Sequence, residues 1–264
     1  MLNVTSKIAY KVRAKPALTA APWGGSRALF GTILSFYGAQ EVASLIIGLY
    51  IGARGWNGAQ VTDWISGVPA QFGYTVIVEV FTVAIIWLLV RKYAWEKIKV
   101  GLGLLKPRWR DLGYMAVAFV VYYALYMALL SVTNVLMPID TNQKQDIGFE
   151  TAHSFIPLAL TFVSLVVLPP LVEELVFRGF LFGGLRRVFS PIVTALIVSM
   201  LFALPHSWQS TDGSTLWNAA IDTFALSLVL CYLREKTGAI WAGVGLHALK
   251  NLVAFLAIFI FHVQ

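Results

Sequence analysis

Three short stretches hold residue types that can do chemistry. LPPLVEELVFRGF, residues 168 to 180, carries Glu173, Glu174 and Arg178; LFALPHSW, 201 to 208, carries His206; GLHALKN, 245 to 251, carries His247 and Asn251. A carboxylate or an imidazole can take a proton from water, and an imidazole or amide can donate toward negative charge that develops during attack on a carbonyl. All three stretches lie in apolar sequence. A carboxylate at the centre of a bilayer costs about 2.5–3.5 kcal/mol even on the lenient insertion scale, so an ionisable residue there is a functional candidate by default.

Helical spacing sorts these residues into local units. Glu174 and Arg178 are four apart and can pair on one helix face, so that neither is a lone charge in a low-dielectric site. His247 and Asn251 share a face by the same rule. Phe202 is four residues before His206, where it can pack beneath the imidazole. Glu173 projects about 100° away from Glu174, with no partner on its own helix, and is expected to face a cavity. Glu41, Glu79 and Asp222 also fall in apolar runs and are expected in interior hydrogen bonds or water contacts. His153 and His262 are expected at the surface.

The elements that must position these groups follow from composition. The chain has 264 residues, 58% hydrophobic and 12% charged, and several apolar runs approach the roughly 20 residues that cross a bilayer core. This predicts an all-α, polytopic transmembrane helix bundle with the active site inside it. Candidate spans are 28–53, 73–91, 112–137, 154–187, 191–208, 216–233 and 239–262. The fourth holds Pro169 and Pro170, which remove two backbone donors and are expected to kink or split it, giving seven or eight spans.

Of the 20 lysines and arginines, all but Arg54, Lys144 and Lys250 fall on one side if the N-terminus is cytoplasmic, while the opposite loops hold Asp63, Asp140, Asp146, Glu150 and Asp212. The net charge of +7 thus reports topology under the positive-inside rule, not a nucleic-acid partner. Residues 1–27 read as a basic cytoplasmic tail without a signal-peptide pattern. Residues 28–149 read as N-terminal transmembrane helices, with a basic, Trp-containing interfacial segment near 92–111. Residues 138–154 read as a polar outer loop. Cys231 is the single cysteine, which excludes an intramolecular disulfide. At about 1.5 Å per helical residue, Glu173 lies roughly 20 Å from Arg186, His206 about 24 Å from Ser190, and His247 and Asn251 about 14 and 20 Å from Gly238. Three helices therefore bring the polar groups to similar depth.

EELVFR fits the pattern EExxxR, FALPH fits FxxxH, and HALKN fits HxxxN, in that order on successive apolar segments. This resembles the CPBP family of intramembrane proteases, also called the Abi or CAAX-protease family, which includes Rce1-type CAAX endopeptidases and bacteriocin-processing or immunity proteins. The resemblance covers about residues 150 to 260, so residues 150–264 would form the catalytic core. It implies that Glu173 and His206 activate water for endopeptidase attack, that His247 and Asn251 stabilise the oxyanion, and that Glu174, Arg178 and Phe202 support the site. No cofactor is expected; zinc held by Glu173, His206 and His247 is the alternative, since two histidines and a carboxylate form a known ligand set. The implied partners are the lipid bilayer and a membrane-associated protein or peptide substrate. The implied location is the plasma membrane. A non-proteolytic immunity factor, scaffold or proton-linked transporter on the same fold is the competing reading.

Overall fold

The computed structural model describes residues 21–137, 139–140, 145, 147–208 and 214–262. Most of the expected N-terminal tail, and Lys144, Asp146 and Asp212 of the expected outer loops, lie outside the described residues. All seven apolar runs are helical. In chain order the helices are α1 (Gly25–Arg54), α2 (Gly58–Ser66), α3 (Val68–Val90), α4 (Trp95–Leu102), α5 (Trp109–Leu136), α6 (Phe155–Leu185), α7 (Pro191–Trp208), α8 (Trp217–Thr237) and α9 (Trp241–Ile260).

Six of these, α1, α3, α5, α6, α7 and α9, are long and apolar enough to cross a bilayer. Side chains such as Phe30, Leu49, Val135, Phe155 and Ile192 stand exposed along them, as lipid-facing residues do. The chain is an integral membrane protein. The 21 residues of α8 reach about 31 Å, but Asp222 and Arg234 reduce its apolar character, and it is not one of the six.

Local chemistry sets the helix ends. Ser190 caps α7 by accepting from the Val193 N–H, ahead of Pro191, and Gly55 and Gly238 close α1 and α8 in the left-handed conformation, which glycine adopts without a Cβ penalty. The short α2, absent from the sequence expectations, starts at a reciprocal capping box between Asn57 and Gln60. In the segment expected to be interfacial, α4 buries Ile98 and Leu102 while Trp95 and Trp109 stay exposed. Within the segment read as a basic tail, residues 21–24 lie against the bundle: Trp23 is buried and its indole N–H donates to the Phe180 carbonyl at 2.9 Å.

The hub is α6, which packs against α1, α3, α4, α7 and α9. Close approach to α1 needs small residues, since a Cβ on Gly184 would meet that of Ala28 at 2.3 Å. The prolines do not split α6 in two. It runs on through two π-helical segments, Val163–Val167 and Glu174–Leu181, and Pro169 and Pro170 enter at the first turn after the first of these, where a missing N–H is tolerated.

One carbonyl is nevertheless orphaned. Leu165 O would accept from residue 169 in an α turn or from residue 170 in a π turn, and both are prolines; the Leu168 N–H goes to Val163 O. The Asn251 side chain of α9 fills the gap, donating from Nδ2 to Leu165 O at 2.8 Å. Asn251→Ala should therefore lower stability by about 1–3 kcal/mol, the cost of leaving a buried acceptor unmade. Pro169→Ala returns an N–H at the right position, so its stabilising effect on the melting temperature in detergent should be larger in the Asn251→Ala protein than in wild type. Equal effects in both backgrounds would show that the side chain and the prolines are uncoupled.

Candidate active site

The central α6 supplies Glu173, Glu174 and Arg178 from the junction between a short α-helical stretch and the second π segment. A π turn is a wider, locally strained backbone that recurs at functional sites. Arg178 Nη1 donates to Glu174 Oε1 at 2.9 Å, and both side chains are fully buried. The guanidinium carbon lies 4.4 Å from the centroid of the Phe202 ring of α7, so one cation is held by a carboxylate and by the negative face of an aromatic ring.

His247 of α9 stands between the two glutamates. Its Nδ1 is 3.3 Å from Glu174 Oε1, and its Nε2 is 3.8 Å from Glu173 Oε2. Glu174 Oε1 already accepts from Arg178, so the ring nitrogen facing it is the one that carries hydrogen. This fixes which nitrogen faces Glu173. Glu173, read from the sequence as having no partner on its own helix, faces His247 across the bundle at ion-pair range, while its Oε2 makes no hydrogen bond.

His206 sits on the tight 3₁₀ turn that ends α7, Leu204–Trp208. Its Nδ1 lies 2.9 Å from the Phe202 carbonyl. A carbonyl only accepts, so Nδ1 carries the hydrogen and Nε2 is left with a lone pair. Phe202 also packs its ring against His206, as its spacing predicted, and edge-on against His247, with centroid separations of 5.3 and 5.8 Å.

Glu173, His206, His247 and Asn251 line one cavity of about 580 Å³, within the range of small-molecule and peptide sites. Glu173 also borders a second cavity of about 210 Å³, which Glu79, Gln40 and Thr75 line as well. One Asn251 N–H is committed to Leu165 O, so a single amide hydrogen is left for a ligand. Among the described residues, no three His, Cys, Asp or Glu side chains gather into a metal-holding group; the alternative zinc set of Glu173, His206 and His247 shares the cavity wall without forming such a cluster. His153 and His262 are exposed.

Sequence reasoning expected Asp222 in an interior hydrogen bond but did not name its partners, which stand elsewhere in the cavity lining. There Asp222 accepts from the Tyr122 hydroxyl and pairs with Lys250 at 3.0 Å, and Tyr126 donates to Asn218. The signal was present in the spacing: Tyr122 and Tyr126 on α5, and Asn218 and Asp222 on α8, are each four residues apart.

Comparison with known proteins agrees with the motifs. Residues 155–253 match the family model described as Type II CAAX prenyl endopeptidase Rce1-like. The uncharacterized protein YyaK of Bacillus subtilis (strain 168) is 33% identical over 159 residues, 59% of this chain and 49% of that protein. The chain thus spans about half the length of this curated relative. No solved structure matches it. All three motifs fall inside the matched segment, which runs from α6 through most of α9 of this integral membrane protein.

Proposed function

We propose that the protein is an intramembrane endopeptidase of the CPBP type, in which Glu173 and His206 activate water for attack on a peptide bond of a membrane-associated protein or peptide. The observation that carries this reading is His247 held between Glu173 and Glu174 in the wall of a cavity that His206 and Asn251 also line. In this reading residues 150–264 are the catalytic core, α8 crosses the membrane as the seventh span, and the site lies inside the bundle. The lysine and arginine asymmetry supports a cytoplasmic N-terminus, and we take the plasma membrane as the location.

Charge counting gives the mechanism its form. With Glu174 and Arg178 paired, and hydrogen on His247 Nδ1, the four groups Glu173, Glu174, Arg178 and His247 are neutral together when the Glu173–His247 pair holds one further proton. A neutral cluster is the arrangement that a low-dielectric interior tolerates. With that proton on His247, Glu173 is a carboxylate that can accept hydrogen from water, with His206 Nε2 as a second acceptor, and His247 Nε2–H and the remaining Asn251 N–H can donate to the oxyanion. With the proton on Glu173, that carboxylate no longer accepts from water and His247 Nε2 no longer donates, which leaves only His206 and Asn251. After attack, the proton taken from water goes to the leaving amine as the C–N bond breaks. The buried Glu174–Arg178 pair does not touch the reacting atoms; it holds His247 in register.

Water activated by this cluster accounts for hydrolysis without a metal, a reading supported by the dispersed donor set. Purified protein in detergent or lipid should cleave membrane-associated peptides, and Glu173→Gln should lower kcat by about 10²–10⁴, the usual contribution of a general base, with its melting temperature retained. Wild-type turnover by the Glu173→Gln protein would rule out this role. Activity should also persist after exhaustive treatment with a chelator; loss on chelation and recovery on adding zinc would return the reaction to a metal.

A further inference from the structure

Lys250 is one of three basic residues that the topology does not explain, and it sits in the cavity. Among the described residues lining that cavity it is the one lysine or arginine. Its ammonium is 3.0 Å from Asp222 Oδ2, and the pair is incompletely buried, with side-chain exposures of 22% and 18%. Asp222 is itself fixed, because its Oδ1 accepts from the Tyr122 hydroxyl. A lysine ammonium has three donors. Asp222 uses one of them and holds the ammonium at the cavity, where the Tyr123 side chain is also part of the lining.

We propose that Lys250 anchors a carboxylate of the peptide substrate, with Asp222 as the latch that presents it. Lys250 lies three residues beyond His247, on the same side of α9 and about 4.5 Å along its axis, which corresponds to one or two residues of extended peptide at about 3.3 Å each. A carboxylate bound there belongs to a group only a few residues from the scissile bond. It is either the substrate's own carboxyl terminus or an acidic side chain close to the cut. Asp222 offsets part of the attraction, so the anchor discriminates by donor and acceptor matching as well as by charge: a carboxylate offers two charged acceptor oxygens, where an amide end offers one neutral oxygen. This inference rests on the endopeptidase reading for its choice of ligand, but its test does not require turnover.

The test uses Glu173→Gln protein, which holds peptides without cutting them, and measures binding of three forms of one short apolar peptide: free acid, C-terminal amide, and amide with a single Glu near its end. The anchor predicts that the free acid or the Glu-containing amide binds at least tenfold tighter than the plain amide, and which of the two does so identifies the carboxylate. Removing the latch with Asp222→Asn should widen that preference. Removing both charges with Lys250→Met and Asp222→Asn should abolish it while the fold persists, and Lys250→Arg should keep it. Equal binding of all three peptides, no binding of any, or a preference that survives the double substitution would overturn the anchor. Carboxylate-selective binding by a wild-type protein that hydrolyses nothing would instead sink the endopeptidase reading and leave the anchor standing. Hydrolysis without carboxylate selectivity would do the reverse.

Discussion

The fully buried pair of Glu174 and Arg178 is the constraint on which the rest of the site depends. Neither charge can be removed alone without leaving the other uncompensated in a low-dielectric interior, a change that typically costs about 3–5 kcal/mol. Their environment is built around them. A Cβ on Gly243 would come within 2.8 Å of Glu174 Oε2, so α9 can approach α6 closely only because residue 243 has no side chain. That approach brings His247, one turn further along α9, into contact with both glutamates.

Phe202 extends the same constraint to α7. Its ring face meets Arg178, its edge region packs on two imidazoles, and its carbonyl orients His206. One aromatic residue therefore ties the structural ion pair to the groups assigned to chemistry. Asn251 plays a comparable part at the other end of the cavity, where it completes a helix that two prolines leave one hydrogen bond short. Asn251 and the Glu174–Arg178–His247 cluster thus meet part of their hydrogen-bonding need across helices, as groups without access to water must, while Glu173 Oε2 and Glu174 Oε2 make no hydrogen bond.

Much of this was legible in the sequence because it is local. Apolar run length gave the helices, the four-residue spacing of Glu174 and Arg178 gave their pairing, and that of Phe202 and His206 gave their ring contact. What could not be read was set by the packing of one helix on another. The contact of His247 with Glu173 joins residues 74 apart in the chain, so Glu173 looked solitary. The pairing of Asp222 with Lys250 was not legible for the same reason, although Asp222 itself was expected to hydrogen-bond inside the bundle. For the proline pair the missing donors were recognised and a kink or a split was expected; no spacing rule shows that a π segment and a side chain from α9 keep α6 continuous, so the split does not occur. The docking of Trp23 was not legible, because basic composition nearby said nothing of the indole's acceptor at Phe180.

The central claim is that the buried pair exists to hold His247, and through it the proton shared with Glu173. It is tested most directly by the hydrolysis rate of protein carrying Glu174→Leu together with Arg178→Met. An apolar pair of similar volume commonly matches or exceeds the stability of the buried ion pair it replaces, so this protein should fold as stably as wild type and yet lose at least about 10²-fold in rate, as removal of an oriented oxyanion donor does. A stable double variant that cleaves at the wild-type rate would contradict the account.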